Sequence, residues 1–210
     1  MPLKRKSLTF SGILMTLFLA GFVIAGTRFL GMNLSGGTSI SLEKLENNEV
    51  RAYEHLKQIR PAQEAYLGKS PALTGQASYA IFLTHLWTAV DSSGRPVKLD
   101  LIPESLAIAI GPSKAIDGYY FLDVRKRHDH KTRQPRKVDY GSSWAIAAIP
   151  RLSGQTGRLV FLIDKTGDIF AVPAKHYSSR FPLDPERAGW IPLPTLTELN
   201  AWQAESKASF

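Results

Sequence analysis

Between residues 118 and 172 the apolar positions fall into four short runs, 118–125, 143–150, 158–164 and 168–172, rich in Tyr, Phe, Val, Ile and Trp. Such runs, separated by Gly-containing turns, predict strands. The last two are joined by Asp164-Lys-Thr-Gly-Asp168, where Gly167 supplies the positive φ of a short hairpin loop and Asp164 can accept from turn amides. Gly154-Gln-Thr-Gly157 links the second and third runs in the same way. The third run is apolar on both faces, with Leu159, Phe161 and Ile163 on one and Val160 and Leu162 on the other. It therefore belongs at the centre of an antiparallel meander that must be covered twice.

One cover is legible upstream. Leu45, Glu49, Ala52, Leu56, Ile59, Gln63 and Tyr66 follow three- and four-residue spacing, and Lys44, Glu46, Arg51, Glu54 and Lys57 fill the opposite side. This predicts an amphipathic helix from about residue 43, packed on the sheet and kinked or divided near Gln58 by Pro61. The second cover is expected from the tail, 173–210, where Trp190, Ile191, Leu193, Leu196, Leu199 and Trp202 recur between prolines. Residues 79–90 read as a short buried helix, 91–96 as a loop and 103–109 as one or two helical turns begun by a proline. Ahead of these elements, 8–27 is uncharged and dominated by Leu, Ile, Phe, Ala and Val. Twenty such residues make about 30 Å of helix, the thickness of a bilayer core. The expected organisation is a basic N-terminus (1–7), a transmembrane anchor (8–27), a linker (28–42) and one domain (43–210). The fold class is α+β: a membrane-spanning helix, then an amphipathic helix packed on a four-stranded antiparallel meander.

Charge sharpens this picture. The chain has 210 residues, no cysteine and a net charge of +8. The missing cysteines exclude disulfides and thiolate-bound metals. The basicity is local. Lys4, Arg5 and Lys6 precede the apolar run, and Arg125, Lys126, Arg127, Lys131, Arg133, Arg136 and Lys137 crowd one loop opposed by Asp129 alone. The remainder is close to neutral. Cations ahead of the apolar run predict an inner-membrane, single-pass protein with a cytoplasmic N-terminus and an extracytoplasmic domain. The alternative is secretion after signal cleavage near Ala25, at the small-residue stretch Val23-Ile-Ala25.

Several segments in order carry a resemblance. They are Asn48 through Tyr66 with its Ala62-Gln-Glu-Ala-Tyr66, then Leu101-Ile-Pro-Glu-Ser-Leu106, Asp117-Gly-Tyr-Tyr-Phe121, Trp144-Ala-Ile-Ala-Ala-Ile-Pro150, and 154–169 with its Thr-Gly turn and Asp-x-x-Gly hairpin. Together they resemble the type IV pilin-like, or pseudopilin-like, soluble domains of bacteria and a related group of secreted bacterial domains. The match covers about 48–172. No prepilin leader is recognisable: no Gly follows Lys6, and the apolar run holds no acid. The resemblance implies a helix on an antiparallel sheet and a structural or assembly role among protein partners in the bacterial envelope.

Catalytic chemistry is not visible in the motifs, and neither an enzyme nor a cofactor is expected. Gly111-Pro-Ser-Lys114 lacks the second glycine and the spacing of a phosphate-binding loop, and Ser142 and Ser143 have no evident His and Asp partners. His128 and His130 offer two imidazoles to a metal, but the surrounding cations would repel a divalent ion; no metal is expected. The 125–137 loop joins the first two strands, so its seven cations project together. Its two readings are a solvated surface loop and a contact for an anionic surface. No aromatic residue is interleaved there, so nucleic acid would be held by phosphate alone. Three functions remain: a membrane-anchored pilin-like structural protein, a secreted module binding an anionic ligand through 125–137, and an envelope hydrolase with its site hidden.

Overall fold

The structure is a computed structural model that describes residues 41–208. Ser41 caps the first helix, α1 (Leu42–Thr74), its hydroxyl accepting from the Lys44 amide at 3.3 Å. Gly75 ends it in the left-handed conformation, φ 81°, donating its amide to the Pro71 carbonyl. The helix is continuous through Pro61 and so is not divided there. Pro61 and Lys57, whose carbonyl loses its intrahelical donor, are both exposed, so water can replace the missing bond.

Next come the hairpin strands β1 (Thr88–Val90) and β2 (Pro96–Lys98) and the single turn α2 (Glu104–Ala107). The buried helix expected over 79–90 is only a 3-10 turn, Leu83–Leu86, because Thr88–Val90 pairs with Pro96–Lys98 instead. The Asp91 carboxylate draws that hairpin tight by accepting from the amides of Ser93 and Arg95.

The meander follows with nearly the expected bounds: β3 (Tyr119–Asp123), β6 (Ala145–Pro150), β7 (Leu159–Asp164) and β8 (Ile169–Pro173). Between β3 and β6, where a loop was expected, lie β4 (Lys126–His128) and β5 (Pro135–Lys137). The tail adds β9 (Phe181–Pro182), β10 (Ile191–Pro192) and α3 (Leu196–Ala208). The main sheet has five strands rather than four, in the order β10-β8-β7-β6-β3, because Ile191 of the tail pairs with Ala171. A two-residue strand leaves no periodicity to read.

β7 is buried on both faces. Leu159, Phe161 and Ile163 join Leu56, Ile59 and Tyr66 of α1 in one cluster, and Val160 and Leu162 join Ala147, Phe170, Phe181 and Trp190 in another. Polar positions on the stripe of α1 have partners too. Gln63 bonds both backbone groups of Ala80, and the Glu49 carboxylate takes the Arg158 guanidinium at 2.8 Å and the Gln203 amide at 2.9 Å.

The tail divides between the faces instead of lying across one. Phe181 and Trp190 cover the second face, while Leu193, Leu199 and Trp202 pack on the α1 side. The rest of the second cover is the strand exit at Val124 and a separate three-stranded sheet, β5-β4-β9, in which β4 and β9 are parallel.

One expectation requires correction. Among the described residues no helix is long and apolar enough to cross a membrane, so the inner-membrane placement is not carried forward. The 8–27 anchor, the Ala25 cleavage alternative and nearly all of the 28–42 linker lie outside the described residues.

Candidate functional site: a cationic cleft

The basic segment is an ordered hairpin. The Asp129 carboxylate closes its turn by accepting from the amides of Lys131 (3.0 Å) and Thr132 (2.8 Å) and from the Thr132 hydroxyl. The Thr132 amide, followed by the other turn bonds, holds this carboxyl below the usual range, so it stays charged and committed to the turn. Arg133 then adopts φ 58°, which swings the chain back into β5. The tail brings a second turn alongside. Asp184 accepts from the Arg187 amide at 3.1 Å and pairs with its guanidinium at 3.2 Å, and Gly189 at φ 80° delivers Trp190 to the sheet.

Between these turns lies a cleft of about 650 Å³. The hairpin contributes His128, His130 and Arg133, and the tail contributes His176, Arg180 and Arg187. Three arginines and three of the chain's five histidines thus face one cavity. Among the described residues Asp129 is the sole carboxylate on its lining. The aromatic side is Tyr177, with its ring 5.5 Å from Phe181, and Trp190, 6.4 Å from the same ring. Burial, with Tyr120 adding to it, pushes the Tyr177 phenol up to about 12, so it is a hydrogen-bond donor at neutral pH. The volume lies within the range of small-molecule sites, and the arrangement suits an anion held by charge-assisted hydrogen bonds.

The seven cations expected to project together do not share one role. Arg133 lines the cleft, and Lys126, Lys131, Arg136 and Lys137 are exposed. The Arg125 guanidinium lies 4.8 Å from the centre of the Phe82 ring. Arg127 is a correction. It is 7% exposed and donates to Asp164 Oδ2 (2.8 Å), to the Pro182 carbonyl (2.8 Å) and to the Leu183 carbonyl (3.1 Å). Alternation along β4 turns its side chain inward between exposed Lys126 and half-buried His128, where it fastens the small sheet to the end of β7. Asp164 also caps its own hairpin turn, accepting from the Thr166 amide and hydroxyl. His128 and His130 lie at the cleft, and among the described residues no group of three His, Asp or Glu side chains is placed to hold a metal ion.

Sequence reasoning missed His176, Tyr177, Arg180 and Arg187. Their signal was present as cations interleaved with aromatic residues over 175–190, but nothing local indicated that this segment meets the hairpin. A second cleft, about 460 Å³, lies beside Arg158, Lys175 and Trp202. Its guanidinium is already bound to Glu49 and lies 5.2 Å from the centre of the Trp202 ring, so its role is to tie α1, β7 and α3 together. No protein family, curated protein or solved structure matches the chain.

Proposed function

We propose that this protein is a non-enzymatic binding module whose cleft between the β4–β5 hairpin and the 176–190 segment takes an anionic ligand. One observation carries the reading: arginines from the hairpin turn, from the stretch just before β9 and from the turn before β10 converge on one cavity, and the one carboxylate among its described lining residues is committed to a turn. Without a ligand this is a concentration of like charge that folding does not require. The test is titration of the full chain with a sulfated disaccharide by calorimetry. Binding should weaken as the Debye length falls from about 10 Å at 0.1 M salt to about 3 Å at 1 M. It should be lost in the Arg133→Gln, Arg187→Gln double variant. Both side chains are exposed, and an exposed ion pair such as Arg187–Asp184 contributes at most about 1 kcal/mol, so the fold should persist. Equal binding by that variant would remove the cleft from the account.

A second reading, a pilin-like assembly subunit, is supported by the 33-residue helix laid on one face of an antiparallel meander. Concentration-dependent growth of ordered assemblies, followed by sedimentation and electron microscopy, would favour it. A monomer at all concentrations would count against it.

A further inference from the structure

The cleft is the end of a longer cationic surface. In the β5-β4-β9 sheet the register pairs Lys126 with Lys137 and His128 with both Pro135 and Pro182. Continuing the parallel register one residue back sets Arg180 beside Lys126. Side chains two apart on a strand share a face, and directly paired residues share it too. Arg127 points inward, so Lys137, Lys126 and Arg180 form one rung of three cations on the outer face, with strands about 4.8 Å apart. All three are exposed. Like charges directly opposite one another destabilise a sheet, so this rung costs the fold something and gives it nothing. The adjacent rung carries His128, which lines the cleft together with Arg180. The row of charge therefore leads from the open face of the sheet into the cavity.

Resting on the cleft reading, we infer that the ligand is an extended acidic polysaccharide, one anionic group seated in the cleft and further groups lying along the Arg180–Lys126–Lys137 rung. A single small anion would use the cleft and leave the rung idle. A linear chain with an anion on each repeat unit would use both. Sugar is favoured over nucleic acid by what accompanies the cations. Tyr177 and Ser178 offer hydroxyls and the three histidines offer ring nitrogens, all suited to sugar hydroxyl groups. The aromatic rings are not presented as stacking platforms: Trp190 is 7% exposed, and Tyr177 is half-buried against Phe181.

The experiment compares a sulfated disaccharide, progressively longer sulfated oligosaccharides of the same series and an oligothymidylate of matched charge, each titrated into the full chain. The variant is Lys126→Gln with Lys137→Gln, two exposed residues outside the cleft lining. Affinity should rise with length by about tenfold or more once the chain spans cleft and rung, because the added contacts become intramolecular. The double variant should lose that gain, keep wild-type affinity for the disaccharide and unfold no earlier than wild type. Length-independent binding, or equal losses for short and long ligands in the variant, would overturn the inference and leave the cleft standing. Oligothymidylate binding as tightly as the long saccharide would overturn the polysaccharide assignment. If no probe of any length binds, the cleft reading itself fails.

Discussion

Replacing Arg127 by Met should be among the most damaging single changes in this protein, although Arg127 lies in what reads as a surface loop. Met keeps much of the volume and removes the guanidinium. The loss is threefold: the Asp164 carboxylate keeps its two bonds from Thr166 but loses its cation, and the Pro182 and Leu183 carbonyls lose their donors. Arg127 and Asp164 are 7% and 8% exposed, so water cannot readily take over. Removing one partner of such a pair costs about 3–5 kcal/mol, a large share of a domain stability of about 5–15 kcal/mol. At about 2–4 °C per kcal/mol for a domain of this size, the melting temperature should fall by roughly 10 °C. Urea unfolding at neutral pH is the assay. Asp164→Asn added to Arg127→Met should recover part of the loss, since the orphaned charge is gone while a side-chain acceptor remains for Thr166. Salt should change the wild-type value little, because buried pairs are weakly screened. An Arg127→Met loss below about 1 kcal/mol, or strict additivity in the double variant, would refute the reasoning.

Two further perturbations follow from buried groups. Burial raises the Asp123 carboxyl to about 6, against the opposing hydrogen bond from the Leu83 amide. Its folded value lies above its unfolded one, so the folded state binds the proton more tightly and stability falls as pH rises from about 4 to about 6, by on the order of 2 kcal/mol. Asp123→Asn keeps the acceptor for Leu83 and should flatten that part of the stability curve; parallel curves for variant and wild type would sink the assignment. Gly157→Ala would place a methyl group inside van der Waals contact of the buried Tyr119 ring, whose hydroxyl donates to the Leu159 carbonyl. The expected cost is about 1–3 kcal/mol in thermal unfolding, and an unchanged melting temperature would show that the ring can move aside.

What the sequence disclosed was whatever periodicity writes locally. The two-faced apolar run of β7, the Gly167 turn and the stripe of α1 each carry their own pattern, and each formed where expected. Pro61 does not divide the helix, since on the exposed side water can take the bond that its ring removes. Arg127 misled because its partner is 37 residues away and strand alternation in a charged hairpin has no apolar signal to reveal it. β9 and β10 are two residues each, too short for any period. The cleft was half legible: the hairpin's His128, His130 and Arg133 stood out by density, while His176, Arg180 and Arg187 are brought to it by a parallel pairing that no turn motif announces.

That parallel pairing also sets an order of events. Arg127 and Pro182 are 55 residues apart, so a ladder between them closes a long loop that contains β6, β7 and β8. Contacts that close long loops come late, whereas the α1 helix and the β6–β7–β8 hairpins can form from neighbouring residues. The cleft needs residues of both the hairpin and the 176–190 segment, so on this ordering the proposed anion site would be completed only when that segment docks. Ligand present during refolding should leave the early hairpin phases untouched and act on the final one, so binding would serve as a reporter of completed folding.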